Sequence, residues 1–121
     1  KIFHHCELLE HLDLSYNLLR SLPMLHLTMG NVAVLILSHN QLTSTFGLDR
    51  LYSLTEADLG FNQIKDINEI RRLASLPNLE SIWLRGNPLA IKENEKLYRS
   101  KVFKIFIEFG DRGGTADYPT L

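Results

Sequence analysis

Four asparagines recur along this chain at steps of 23, 22 and 25 residues: Asn17, Asn40, Asn62 and Asn87. Each closes the same frame, L-x-x-L-x-L-x-x-N-x-L. The frame runs Leu9, Leu12, Leu14, Asn17, Leu19, then Val32, Leu35, Leu37, Asn40, Leu42. It repeats as Leu54, Ala57, Leu59, Asn62, Ile64 and as Leu79, Ile82, Leu84, Asn87, Leu89. A unit this short cannot enclose a core. It has to lay its apolar side on the next unit, so the copies stack and their leucines fuse into one continuous interior. Within a copy, Ala57 and Leu59 are two apart and face one side of a strand three or four residues long.

The asparagine follows where the chain turns inward. Its amide both donates and accepts, so stacked turns can form a ladder that satisfies backbone groups the turn leaves unpaired. That assigns the asparagines to structure, not to catalysis. After Asn62 the limb returning to the next strand reads Ile64, Ile67, Ile70, Leu73, Leu76, a spacing that suits a helix or 3₁₀ turn, with Asp66 or Asn68 as its cap. The second copy reads Leu42, Phe46, Leu48, Leu51, Leu54. Pro23, Gly30-Asn31 and Pro77-Asn78 are turn punctuation between strands.

The pattern stops after Asn87-Pro88-Leu89. A polar stretch over Lys92–Lys96 precedes an apolar one from Tyr98 to Phe109. Lys101, Lys104 and Glu108 share one helical face, and Tyr98, Val102, Ile105, Phe106 and Phe109 share the other. Phe103, Ile105, Ile107 and Phe109 also alternate as a strand would, but the polar positions fit only the helical period. Such a helix would close the open end of the core, as stacked repeats require, with Tyr118 and Leu121 folding back on it. The expected architecture is an α/β leucine-rich-repeat solenoid. It has short parallel strands on the concave face, short helices or 3₁₀ turns on the convex face, and a C-terminal capping helix. Residues 1–90 hold about four repeats and part of a preceding one; residues 91–121 are cap and tail. The opening Lys1-Ile2-Phe3 reads as part-way through a repeat, so a longer protein with upstream repeats is expected. Ile2, Phe3 and Leu8 would then lie at an uncovered edge.

Side chains between the core leucines point out of the sheet and align in columns. One is Asp13, Ile36, Asp58, Trp83, and the one before it is His11, Val34, Glu56, Ser81. Beyond them come Ser15, Ser38, Gly60, Arg85, and then Tyr16, His39, Phe61, Gly86. Trp83, Ile36, Val34 and Phe61 are apolar where water is expected, and aromatic anchors beside charges are the make-up of an interaction hot spot. Asp13, Glu56 and Asp58 would select a basic partner. The candidate partner-binding residues are therefore His11, Asp13, Tyr16, Val34, Ile36, His39, Glu56, Asp58, Phe61, Trp83 and Arg85.

Other chemistries find no support. A net charge of −1 suggests no polyanion surface, so no direct nucleic-acid partner is expected. The single cysteine, Cys6, excludes an internal disulfide and favours a reducing compartment. No apolar run approaches the ~20 residues of a membrane span. His4-His5-Cys6 has no second cluster to complete a metal site. Asp13 with Asp58, or His11 with Glu56, sits on an open sheet where nothing desolvates an acid–base pair. Gly110-x-x-Gly113-Gly114 lacks the ending of a phosphate loop. Arg71-Arg72 reads as a solvated helix face. The chain is expected to be no enzyme and to need no cofactor or metal.

The frame is the leucine-rich-repeat signature, and a period near 22 with short convex helices resembles the compact intracellular class. That class includes a phosphatase regulatory subunit, a dynein light chain and a spliceosomal protein. The runs Gly30–Leu37, Gly47–Leu54 and Leu76–Glu80, with Asn87-Pro88-Leu89 and Tyr98-Arg99-x-Lys101-Val102, resemble the nischarin and LKB1-interacting protein type over roughly Leu9 to Val102. The last of these also resembles the cap of intracellular leucine-rich proteins, although the spacer from Leu89 to Tyr98 is longer than usual there. The resemblance implies one module of a cytoplasmic signalling or trafficking scaffold, endosome-associated through other domains of the same chain. It implies a protein partner such as a small GTPase, a kinase or a peptide segment, and no membrane contact through this segment. The alternatives are a structural subunit of a stable assembly, or a regulatory subunit docking on a phosphatase or kinase.

Overall fold

A computed structural model describes residues 10–22, 30–91 and 95–109. The readings placed on Ile2, Phe3, His4-His5-Cys6, Leu8, Leu9, Pro23, the Lys92–Asn94 spacer, Gly110–Gly114, Tyr118 and Leu121 lie outside these residues. So do those on the side chains of Tyr98, Glu108 and Phe109.

Each repeat contributes one three-residue strand: β1 (His11–Asp13), β2 (Val34–Ile36), β3 (Glu56–Asp58) and β4 (Ser81–Trp83). They form one parallel sheet in sequence order. Leu12, Leu35, Ala57 and Ile82 stand side by side at the strand centres, and all four are buried. The ladder continues past the strands. The N–H groups of Leu14, Leu37 and Leu59 donate at 2.8 Å to the carbonyls of Ile36, Asp58 and Trp83. Those of Tyr16, His39 and Phe61 donate at 3.0, 3.0 and 2.8 Å to Ser38, Gly60 and Arg85. Parallel strands this short hold together because each backbone group has its partner in the neighbouring repeat.

The asparagines build the expected ladder. Asn62 Nδ2 donates to the Leu59 and Gly60 carbonyls of its own turn at 3.0 and 3.1 Å, and to Leu37 of the preceding repeat at 3.0 Å. Its Oδ1 accepts the Leu42 N–H at 3.0 Å. Asn40 repeats this with Leu14 and Leu19, and Asn87 with Leu59 and Ile64. Each of these amides, itself buried, thus fastens two consecutive repeats.

The return limbs differ between copies. Leu48, Leu51 and Leu54 follow one another through tight turns, each N–H bonded to the carbonyl three residues back. Phe46, which the apolar pattern places among them, is instead 63% exposed, and Thr45 takes the buried position. The reason is the spacing: Phe46 lies four residues from Leu42, out of phase with the three-residue steps that follow. In the third copy a 3₁₀ turn, Ile67–Glu69, runs into helix α1 (Ile70–Ala74), and the Asp66 carboxylate caps it by accepting the Asn68 N–H. Ile70 and Leu73 complete the core, while Ile67 is only half-buried.

Helix α2 (Pro88–Ile91) and the 15-residue helix α3 (Glu95–Phe109) end the described chain. The segment is helical throughout, so the alternating pattern of Phe103 to Phe109 does not make a strand. It begins three residues before Tyr98. Val102, Ile105 and Phe106 are buried, whereas Lys101, Lys104, Phe103 and Ile107 are exposed. The helix packs against α1 and α2.

Candidate functional site

Strand register brings the candidate residues together as two columns: His11, Val34, Glu56, Ser81 and Asp13, Ile36, Asp58, Trp83. With strands about 4.8 Å apart, Asp13 and Asp58 are separated by about 10 Å across Ile36. Trp83 is 37% exposed. Val34 and Ile36 are half-buried instead of open, since each lies on an interior strand with neighbours on both sides.

The two aspartates also finish their strands. Asp13 Oδ1 accepts the Ser15 N–H, and Asp58 Oδ1 accepts the Gly60 N–H, both at 2.9 Å. These Asx turns hold the carboxylates in place. Hydrogen bonds from the Ser15 side chain and backbone hold Asp13 below the ordinary carboxylate range, with a smaller contribution from His11. Among the described residues neither aspartate, nor Glu56, is in an ion pair.

The outer column is a stack. Tyr16, His39 and Phe61 all adopt positive φ, at 57°, 58° and 55°. That left-handed conformation turns the chain into each asparagine and lines up the side chains. The Tyr16 and His39 rings lie 4.1 Å apart and His39 and Phe61 4.6 Å apart, nearly parallel. In the fourth repeat the position is Gly86, φ +78°. A Cβ there would meet Phe61 Cδ1 at 2.4 Å, so the Phe61 ring lies over a glycine that has to be one. Arg85 sits 6.0 Å from the Phe61 ring centroid. His39 Nδ1 is buried without a hydrogen-bond partner among the described residues. Tyr16, His39 and Phe61 are thus bound to one another as much as they are offered to a partner.

A second cluster, on the return limbs, corrects the reading of Arg71-Arg72 as a solvated helix face: Arg71 is exposed, but Arg72 is half-buried and bonded across to the second limb. Glu69 accepts from the Ser44 hydroxyl at 2.8 Å and the Thr45 N–H at 2.9 Å, and pairs with Arg72. The Thr45 hydroxyl donates to the Glu69 carbonyl at 2.7 Å, and Arg72 lies 5.7 Å from the Phe46 ring centroid. Burial pushes the Glu69 carboxyl up. The hydrogen bonds from Thr45 and Ser44 and the charge of Arg72 outweigh it and leave the group lowered. The phase slip at Phe46 was the available signal. The cluster clamps the second return limb to the third.

Among the described residues no three His, Cys, Asp or Glu side chains are placed to hold a metal ion, and no helix is long and apolar enough to cross a membrane.

Comparison with known proteins gives two family matches: Leucine Rich repeats (2 copies) over residues 52–95, and Leucine Rich Repeat over residues 8–28. The chain is 40% identical over 84 residues to human Serine/threonine-protein kinase 11-interacting protein, covering 69% of this chain and 8% of that one. It is 36% identical over 84 residues to an uncharacterized leucine-rich repeat-containing protein of Schizosaccharomyces pombe, 69% of this chain and 13% of that one. It is 39% identical over 82 residues to the human Geranylgeranyl transferase type-2 subunit alpha, 68% of this chain and 14% of that one. The matched region thus spans a small part of each relative.

Proposed function

Because the chain carries leucine-rich repeats, we propose that it is a non-catalytic protein-interaction domain presenting its concave sheet to a partner protein. The observation that carries this is the inner column: Trp83, part-exposed, stands beside Asp58 on the same register as Ile36 and Asp13, and the two fixed carboxylates are in no ion pair among the described residues. An aromatic side chain partly in water beside charges on a rigid sheet is how binding surfaces are made, and a rigid surface loses little order on binding. The finer reading is a scaffold of the nischarin and LKB1-interacting type, cytoplasmic and associated with endosomes through other modules. In it residues 1–90 form a repeat solenoid, and residues 91–121 form its cap and tail, with α3 covering the end of the core. The relative named for its interaction with a serine/threonine-protein kinase supports a kinase among the partner classes.

A second reading is a subunit of a stable assembly. It is favoured by the similarity to a region of a transferase subunit.

Both readings are tested by capture from lysate with the full-length protein, beside an Ile36→Ser/Trp83→Ser variant and a Phe46→Ser control on the return limb. Circular dichroism checks that folding is matched. Partners lost only from the concave variant support the interaction reading. A partner retained at all dilutions and in all three proteins favours the stable subunit. Identical, dilution-sensitive captures in all three refute the concave face.

A further inference from the structure

Given the concave-face reading above, on which this inference rests, we propose that its occupant is an extended basic segment of a partner protein. Two cationic side chains of that segment sit on Asp13 and Asp58, and an apolar one sits against Trp83.

The argument starts from charge. The whole chain has a formal charge of −1, so an acidic face is a local asymmetry, not a consequence of composition. Asp13, Glu56 and Asp58 all lie in the two inner columns, and none is in an ion pair among the described residues. The arginine at the end of the face, Arg85, lies by the Phe61 ring. Unpaired carboxylates that share a face repel one another, and a cationic partner relieves this while gaining attraction of its own.

Geometry narrows the occupant. Asp13 and Asp58 are about 10 Å apart, the length of three residues of extended chain. Their Oδ1 atoms are held by Ser15 and Gly60, so the carboxylates do not have to be ordered on binding. Ile36 lies between them and Trp83 one strand beyond Asp58. This order of charge, apolar, charge, aromatic suits an extended peptide of polyproline-II type crossing the sheet, whose three-residue turn puts lysine or arginine at positions i and i+3 on one face about 9 Å apart, with an aliphatic residue after the second. An acidic segment would meet three like charges, and a purely apolar one would leave those carboxylates desolvated without partners.

Trp83 is the chain's single tryptophan, so its emission reports directly on this face. The test titrates this 121-residue chain with three synthetic peptides of sequence Gly-Ser-Lys-Ser-Val-Lys-Leu-Ser-Gly. One is as written, one has Glu for both Lys, and one has Ser for Val and Leu. The variant is Asp13→Asn/Glu56→Gln/Asp58→Asn, whose amide oxygens still accept from Ser15 and Gly60. The expected result is saturable change in emission with the first peptide, loss with the second, and weakening with the third. Affinity should be about tenfold weaker in the triple variant and should fall with added salt. Equal response to the acidic peptide, no saturable response to the basic one, or an unchanged affinity in the triple variant overturns the proposal. The two readings fail separately. If Ile36→Ser/Trp83→Ser loses captured partners while the triple variant keeps them, the concave face stands and the basic occupant falls.

Discussion

Replacing Asn62 by Ala tests the central structural claim, that the recurrent asparagine joins repeats and does not merely shape its own turn. Asn62 is 1% exposed and makes four hydrogen bonds. Three of the groups it serves have other partners. The Leu37 carbonyl keeps Asn40 Nδ2, that of Leu59 keeps Asn87 Nδ2, and that of Gly60 keeps the His39 N–H. The Leu42 N–H, in the preceding limb, loses the Asn62 Oδ1 that accepts it. A buried donor left unpaired costs about 1–3 kcal/mol. The three weakened carbonyls and the space vacated add roughly 1–2 kcal/mol more. The sum, about 2–5 kcal/mol, is a large part of the 5–15 kcal/mol that holds a typical domain folded. Asn17 has the same frame position but is exposed, and bonds the Leu14 and Ser15 carbonyls of its own turn. Its replacement by Ala should cost under about 1 kcal/mol. Urea unfolding of both variants, with matched slopes, measures the difference. Equal losses, or a loss below 1 kcal/mol for Asn62→Ala, would refute the assignment of the energy to the inter-repeat bonds.

Other consequences follow from particular contacts. Gly86→Ala forces a side chain into a left-handed backbone and against Phe61. It should cost about 2–4 kcal/mol and shift the ring-current signals of His39 in NMR spectra; an unshifted His39 would break the stacking argument. Thr45→Val removes the hydroxyl that serves the Glu69 carbonyl and should cost about 1–2 kcal/mol, whereas Phe46→Ala, at an exposed ring, should stay within about 0.5 kcal/mol. Glu69 has a folded-state pKa below its ordinary 4.5, so its contribution is complete above that value and disappears as pH falls through the lower folded one. Thermal melts from neutral pH to pH 3 should therefore show less acid sensitivity in Glu69→Gln than in the parent, and parallel curves would count against the clamp.

What the sequence made legible is what the repeat itself repeats. The register needs only the frame, because a parallel sheet of consecutive units aligns equivalent positions. The frame alone puts Asp13, Ile36, Asp58 and Trp83 in one column. The asparagine bonds were legible for the same reason: a polar residue at a fixed position in every copy needs a fixed set of partners. Departures from the repeat were harder to read. Phe46 looked like one more apolar residue of a return limb, but one residue of phase turns it to water, and only the pairing of Thr45 with Glu69 says what replaces it. The stack of Tyr16, His39 and Phe61 was visible as a column but not as a bonded unit. A column of three aromatic rings can splay toward a partner or close on itself, and the choice rests on the positive φ that all three share and on the missing side chain of Gly86. That choice divides the candidate surface. The inner columns carry the carboxylates and Trp83, which the fold leaves available. The outer column spends its rings on its neighbours, so substitutions there should move stability first and binding second, and substitutions at Trp83 the reverse.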